Sequence, residues 1–221
     1  MKSSVSVKNI AVIGMFAAMG FVAVLLGKVI PNVAGFLSYD PKDAVVAIAG
    51  FLMGPLYTVV ISVLVSLVEL VTISSTGIIG CLMNIFSTVS FAFPAAILYK
   101  KVKSYQGAIL GLILGVSFMT ASMLLWNYFI TPFYMGVPRN VVSEMIVPVF
   151  LPFNAIKGGL NAALTLLLYK PLVTTLRRAK LVPESYSVGA TVKVRVFLLA
   201  IALALLALFT FLFLYLIGVI A

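Results

Sequence analysis

Six charged or amide side chains fall well inside long apolar stretches of the chain, where such groups are rare. They are Glu69, Asn84, Asn127, Asn154, Lys157 and Asn161. An ionisable side chain is costly in a bilayer and is a functional candidate by default. Amides offer paired hydrogen-bond donors and acceptors, while lysine offers donors only. This set suits the polar edge of a flat, mostly uncharged heterocycle better than a phosphate, which favours arginine, or a metal ion, which needs several oxygen ligands.

A structural role is the alternative for these side chains. Asparagine in a membrane helix often only links neighbouring helices, at about 0.6 kcal/mol, and Glu69 at a span end could simply be solvated. Lys157 lies too deep to reach water easily. Aromatic residues near the predicted outer loops could stack on a flat ligand, although interfacial belts give the same pattern. They are Phe36, Tyr39, Trp126, Tyr128, Phe133 and Tyr134.

The composition limits the class of protein. Hydrophobic residues make up 63% and charged residues 9% of the 221 positions, whereas soluble domains average about 25% charged residues. Because the apolar runs are long and unbroken, we predict an all-α integral membrane protein rather than a barrel. The chain has no histidine and one cysteine, Cys81, so histidine triads, internal disulfides and thiolate metal sites are excluded. We expect no catalytic residues, no metal site and no resident cofactor.

Seven apolar runs must position the polar side chains. They span about residues 9–29, 43–54, 56–73, 78–99, 107–130, 148–176 and 192–220. A helix needs about 20 apolar residues to cross the hydrocarbon, so the second run is too short to cross alone, and Gly54-Pro55 separates it from the third. We expect its helix to begin with Asp40 as the cap, Pro41 as the first helical residue and Asp43 in the first turn.

The positions of lysine and arginine predict the orientation. With a cytoplasmic N-terminus, eleven of the 15 basic residues fall in inner segments and three, Lys28, Lys42 and Arg139, in outer ones. Positive charge concentrates on the cytoplasmic side of membrane proteins, so we place the N-terminus inside and the C-terminus outside. This rule also accounts for the net charge of +10, without nucleic acid as a partner.

Four spans bring polar side chains to the outer half of the bilayer. The third supplies Glu69, the fourth Asn84, the fifth Asn127, and the sixth Asn154, Lys157 and Asn161. The spacing i, i+3, i+7 in the sixth span puts its three residues on one helix face. We expect these groups to meet in a pocket open to the outside. Glu69, the only carboxylate we place in the membrane, is expected to pair with Lys157 when the pocket is empty.

The first run carries small residues on one face. Gly14 and Ala18 have the small-xxx-small spacing, and Ala17 lies beside them. Such a face lets another helix approach closely, either within the bundle or in a partner protein of the membrane.

The chain divides into three predicted units. Residues 1–178 form a six-helix membrane core, 179–191 a polar cytoplasmic linker, and 192–221 an additional transmembrane helix. No internal repeat is visible, so the sequence does not predict an inverted-repeat transporter.

Four stretches of the sequence are similar to those of a known protein family. They are FLSYDPKDAVVAIAGFLMGP (36–55), NIFSTVSFAFPAAILYKK (84–101), MTASMLLWNYFITPFY (119–134) and LPFNAIKG (151–158). The last is similar to a Pro-Phe-Asn-x-x-Lys-Gly signature. Over about residues 9–176 the chain resembles the substrate-binding S components of energy-coupling factor (ECF) transporters, specifically those for riboflavin. The extra C-terminal helix departs from that family, whose core usually ends after six helices.

The resemblance implies a six-helix core in a bacterial cell membrane that captures riboflavin from outside, as a transported ligand. Together with the depth argument it gives the candidate ligand-binding residues Asn127, Asn154, Lys157, Glu69, Asn84, Phe36, Leu37 and Tyr39. It also implies that Gly14, Ala17 and Ala18 dock a transmembrane coupling subunit, which works with two cytoplasmic ATPases. An S component has no nucleotide site, and the chain has no G-x-x-x-x-G-K-[ST] motif.

Three other functions are weighed against this one. An S component for another vitamin, such as thiamin or a folate, is disfavoured by the signature. An intramembrane Ser-Lys hydrolase is disfavoured because Ser143 lies at a loop margin and no serine is expected beside Lys157. An autonomous channel or secondary transporter would move its solute without ATP.

Overall fold

The computed structural model describes residues 7–181 and 192–219, which fold into α-helices joined by short loops. The helices are α1 (Val7–Gly27), α2 (Lys42–Met53), α3 (Pro55–Thr72), α4 (Gly77–Val102), α5 (Tyr105–Phe129), α6 (Thr131–Met135), α7 (Arg139–Glu144), α8 (Leu151–Arg178) and α9 (Val192–Leu216). A π-helical turn, Ile146–Phe150, leads into α8. Six of the described helices are long and apolar enough to cross a membrane, namely α1, α3, α4, α5, α8 and α9. The predicted all-α membrane architecture is confirmed.

The short helix α2 lies inside the bundle. Ten of its 12 residues are buried, and it ends at Gly54, whose φ of 111° lies in a region open mainly to glycine. Pro55 then starts α3, and Tyr57 accepts a hydrogen bond from Asn9 of α1 at 3.4 Å. The chain therefore turns near the end where α1 begins. Such a break is tolerated in a membrane protein where other parts of the protein surround it.

The start of α2 differs slightly from the prediction. The helix begins at Lys42, one residue later than expected. Asp40 accepts a hydrogen bond from the Lys42 amide at 3.2 Å, so its carboxylate does serve the first turn. Asp43 is in the first turn as predicted, but it is fully buried.

The main core joins the first five helices. Its fully buried members include Phe16 of α1, Ile48 of α2, Val65 of α3, Phe91 of α4 and Met119 of α5. Helices α4 and α5 pack closely where α5 has glycines: a Cβ on Gly111 would meet the carbonyl oxygen of Ala95 at 2.7 Å.

A second core lies at the end of the bundle that carries residues 28–41 and 130–147, which we call the loop end. Its buried residues are Val33, Leu37, Tyr39, Val142, Phe150, Phe153, Ile156, Leu160 and Phe213. The sequence did not predict the short helices α6 and α7 at this end, since five or six residues are too few for a helical period. Helix α9 matches the predicted seventh run and packs against α8. Of the predicted linker 179–191, residues 182–191 lie outside the described part of the chain.

Candidate functional site: a polar cavity at the loop end

A cavity opens at the loop end of the bundle. It holds an empty volume of about 660 Å³, including its open mouth. Its lining is Val24, Lys28, Phe36, Leu37, Ser38, Tyr39, Asp40, Glu69, Thr76, Met83, Asn84, Ser87, Met123, Asn127, Phe153, Asn154 and Lys157. All eight candidate ligand-binding residues are in this set, and they come from the loop before α2 and from α3, α4, α5 and α8. A concave site with a few convergent polar groups is where a small ligand is expected to bind.

Lys157 lies between two polar partners beside the cavity. Its Nζ donates to Ser87 Oγ at 3.4 Å and lies 3.5 Å from Asp43 Oδ2. The expectation that no serine lies beside Lys157 is therefore wrong. The other oxygen of Asp43 accepts from Thr88 Oγ1 at 2.6 Å. The predicted pairing of Lys157 with Glu69 is therefore wrong, and Glu69 is not the only carboxylate inside the bundle. The cause is the buried start of α2, which brings the first turn of that helix against α8.

Glu69 belongs to a separate ion-pair cluster. Its oxygens lie 3.2 Å from Lys28 Nζ and 3.3 Å from Lys42 Nζ, and Asn84 Nδ2 donates to it at 3.0 Å. Its exposed fraction is 4%, so the alternative of a solvated carboxylate at the membrane surface does not hold.

Lys42 is the centre of that cluster. It is fully buried, although the sequence placed it in an outer segment, and its Nζ also lies 2.6 Å from Asp40 Oδ2. Burial by itself would raise the pKa of Asp40, but the ammonium charges of Lys42 and Lys157, together with the hydrogen bonds from Lys42, outweigh burial and lower that pKa below its usual value.

Two asparagines keep free hydrogen-bonding capacity at the cavity wall. Asn127 donates to the Met123 carbonyl at 2.7 Å and accepts from Thr131 at 2.8 Å. Asn154 donates to the Phe150 carbonyl at 2.7 Å. An amide group has two N–H donors and an oxygen with two lone pairs. These bonds to nearby residues orient the two side chains and leave donors and acceptors for a ligand.

Asn161 has a structural role instead. Its Nδ2 donates to the carbonyls of Asp40 and Lys157, each at 3.1 Å, and its Oδ1 accepts from the Ala44 amide at 3.3 Å. It fixes the start of α2 to α8 and does not line the cavity.

A second, apolar cavity, with an empty volume of about 320 Å³ including its open mouth, adjoins the first and shares Phe36, Thr76 and Met83 with it. Trp126 and Tyr134 are part of its lining. Two other aromatic candidates lie elsewhere. Tyr128 packs under the Arg139 guanidinium, 5.3 Å from its ring centroid, and Phe133 is largely exposed.

Several lining residues were missed by the sequence analysis. Ser87 and Met83 lie three residues after and one before Asn84, and Met123 lies one helical turn before Asn127. Since residues three or four apart share a helix face, extending each candidate by one turn would have found Ser87 and Met123. Thr76, in the loop before α4, gave no comparable signal.

The fold and the cavity define a helical membrane protein with a polar cavity inside one end of its bundle. A model of the family described as "ECF transporter, substrate-specific component" matches residues 8–169. The chain therefore belongs to the substrate-specific components of ECF transporters, a family of transport subunits rather than enzymes.

Named relatives agree with this family. The chain is 30% identical over 161 residues to the riboflavin transporter FmnP of Bacillus subtilis, covering 69% of this chain and 85% of the relative. It is 29% identical over 177 residues to the riboflavin transporter RibU of Staphylococcus aureus, covering 77% and 93%. It is also similar to the solved structure of an S component of a bacterial ECF transporter, with a TM-score of 0.66 and 29% identity over 77% of this chain and 98% of that one.

Proposed function

We propose that the chain is the riboflavin-binding subunit of an ECF transporter and holds the vitamin in the cavity at the loop end. The observation that carries the proposal is the convergence of Asn127, Asn154 and Lys157, from two helices, on one cavity. The relatives named as riboflavin transporters support the choice of ligand.

The chemistry of the cavity fits a flavin ring. One edge of that ring alternates carbonyl oxygens with an imide N–H, and the free donors and acceptors of Asn127 and Asn154 complement such an edge. Lys157 supplies a charged donor for a carbonyl oxygen or ring nitrogen. The adjoining apolar cavity, lined partly by Trp126, suits the opposite, methylated end of the ring.

The charges around the cavity support an uncharged ligand. Its lining includes two cations, Lys28 and Lys157, and two carboxylates, Asp40 and Glu69, so the charges balance. A site for a phosphate group would be expected to carry an excess of positive charge, with arginine prominent.

We also propose that the small-residue face of α1 docks the transmembrane coupling subunit. Gly14 and Ala18 are exposed, and a Cβ on Gly14 would meet no atom within 4 Å. This exposure favours a partner protein over packing within the bundle, because small residues let another helix approach closely. Two cytoplasmic ATPases then power the complex.

The proposed orientation has a cytoplasmic N-terminus in a bacterial cell membrane, with the cavity open to the outside. Riboflavin binds from outside, the loop of residues 28–41 closes over it, and the subunit reorients against its coupling partner. Lysine and arginine are more frequent in the segments placed on the cytoplasmic side than in the outer ones, which supports this orientation through the positive-inside rule.

Calorimetry of the purified full chain against riboflavin, flavin mononucleotide and thiamin tests the proposal. We expect saturable binding of riboflavin, a yellow flavin absorption in protein purified from riboflavin-containing medium, and no heat with thiamin. Binding of thiamin without riboflavin would overturn the proposed ligand. Riboflavin uptake by the chain alone in ATP-free vesicles would overturn the subunit role.

A further inference from the structure

The helix α9 lies beyond residues 8–169, the part of the chain that the family model matches. Most of the α9 side chains whose burial the structure describes are exposed, as in a helix that faces lipid, yet Ala202 and Phe213 are buried. These two buried side chains show that α9 packs on the bundle along one face. The end of α9 that carries Phe213 lies in the second core, at the loop end.

Phe213 contacts a residue of the cavity wall. Its ring centroid lies 5.8 Å from that of Tyr39, with the two rings tilted by 56°. Tyr39 lines the cavity, and its hydroxyl has no hydrogen-bond partner within the described residues. The Tyr39 ring is therefore positioned by packing, and α9 supplies an aromatic partner for it.

Gly159 allows α9 to pack closely against α8. A Cβ at Gly159 would overlap the ring of Phe209, one helical turn before Phe213. The absence of a side chain at Gly159 lets the Phe209 ring lie against the α8 backbone. Phe209 and Phe213 are four residues apart, so they lie on the same face of α9, the face that packs against α8 near the loop end.

The loop that contains Tyr39 is held mainly by side-chain contacts with this core. Val33 and Leu37 exchange backbone hydrogen bonds of 2.9 and 3.0 Å around a tight turn, with positive φ at Ala34 and Gly35. The side chains of Val33 and Leu37 are buried in the same core as Phe213. Packing against α8 and α9 therefore fixes the middle of this loop, while ion pairs and hydrogen bonds hold its ends at Lys28 and Asp40.

We propose that α9 positions the cavity loop, with Phe213 acting through Tyr39 to slow the release of bound ligand. This inference rests on the proposed function, because it takes riboflavin as the ligand. Most of the cavity wall is helical, whereas this loop has few backbone hydrogen bonds, so its opening is expected to limit ligand exit. Affinity differences among variants of one site arise mainly in the dissociation rate.

The test compares Phe213→Ala with Phe211→Ala in the full chain, reconstituted in lipid nanodiscs. Phe211 is 59% exposed on the same helix and controls for loss of a phenyl ring. Association and dissociation rates of radiolabelled riboflavin are measured with an unlabelled chase. We expect Phe213→Ala to raise the dissociation rate by about two- to tenfold, the range for loss of one aromatic pair, with a smaller change in association. We expect Phe211→Ala to match the wild type.

A second pair of variants tests the route through Tyr39. In a Tyr39→Leu background, adding Phe213→Ala should change the dissociation rate little, because the ring contact is already absent. If Phe213→Ala does not fold, Phe213→Leu replaces it, with the same expected direction.

Three results would overturn the inference: an unchanged dissociation rate, equal acceleration of association and dissociation, or the same effect of Phe213→Ala with and without Tyr39. Failure of the wild type to bind riboflavin would instead overturn the proposed function.

Discussion

Two lysines buried at the loop end differ in how fully the protein pairs them. Lys42 has two carboxylate partners, Asp40 at 2.6 Å and Glu69 at 3.3 Å, and does not line the cavity. Lys157 has one carboxylate near it, Asp43 at 3.5 Å, and lines the cavity. Asp43 Oδ2 has no hydrogen-bond partner among the described residues.

The comparison separates a structural cation from one available to a ligand. A buried ammonium has three donors, and the protein must satisfy them or leave them for something else. At Lys42 the donors are directed to carboxylates that join the loop, α2 and α3. At Lys157 the contacts are longer, at 3.4 and 3.5 Å. With only these two contacts in the described part of the chain, Lys157 keeps a donor for a ligand carbonyl.

Of the substitutions that test this comparison, Lys42→Met is expected to have the largest effect, a loss of folding stability. The change leaves Asp40 and Glu69 buried near each other without their shared cation, and breaking a buried ion pair typically costs about 3–5 kcal/mol. We expect a large fall in the thermal unfolding temperature of the detergent-solubilised chain or loss of folded protein. Lys170→Met, at an exposed position of α8, is the control. Equal unfolding temperatures for the two variants would contradict a structural role for Lys42.

Lys157→Met should act on binding. Loss of a charged hydrogen bond to the ligand is expected to weaken riboflavin binding by about 1–3 kcal/mol. The change also leaves Asp43 without a cation, so Asp43→Asn combined with Lys157→Met gives an electrically matched variant for the same measurement. Calorimetry reports the dissociation constant, and an unchanged value in both variants would remove Lys157 from the site.

The smallest effect is expected from Lys28→Met. Its side chain is 36% exposed and lies 3.2 Å from Glu69, and Glu69 keeps Lys42 as a partner. Partly exposed ion pairs contribute about 0–1 kcal/mol and weaken with salt. We expect a small loss of stability in chemical denaturation at low salt, vanishing at high salt. A loss as large as that of Lys42→Met would show that the two cations share one role.

Much of the fold follows from the sequence because hydrophobic run length and membrane thickness constrain it strongly. The extra helix α9 followed from run length alone, and the break at Gly54 from run length together with the Gly54-Pro55 pair. The positions of Lys42 and Asp43 did not. Counting charges by segment assumes that a lysine at the start of a helix is solvated. In the structure the start of α2, with Lys42, is buried inside the bundle.

Residue spacing located the site but did not assign roles within it. Asn154 and Asn161 lie on one face of α8, yet Asn154 lines the cavity and Asn161 binds the backbone of Asp40 and Ala44. The difference depends on where α2 begins, a contact between residues more than a hundred positions apart. Helical periodicity carries no information about such contacts.

The burial of α2 bears on how the chain is assembled in the membrane. Twelve residues that begin with Lys42 and Asp43 are too few and too charged to be inserted independently by the translocation machinery. Apart from Asp40, the partners that neutralise or hydrogen-bond its first turn are synthesised later: Glu69 in α3, Thr88 in α4, and Lys157 and Asn161 in α8. We therefore expect α2 to reach its final place only after α8 has left the ribosome, which would make assembly of the cavity a late, post-insertion event.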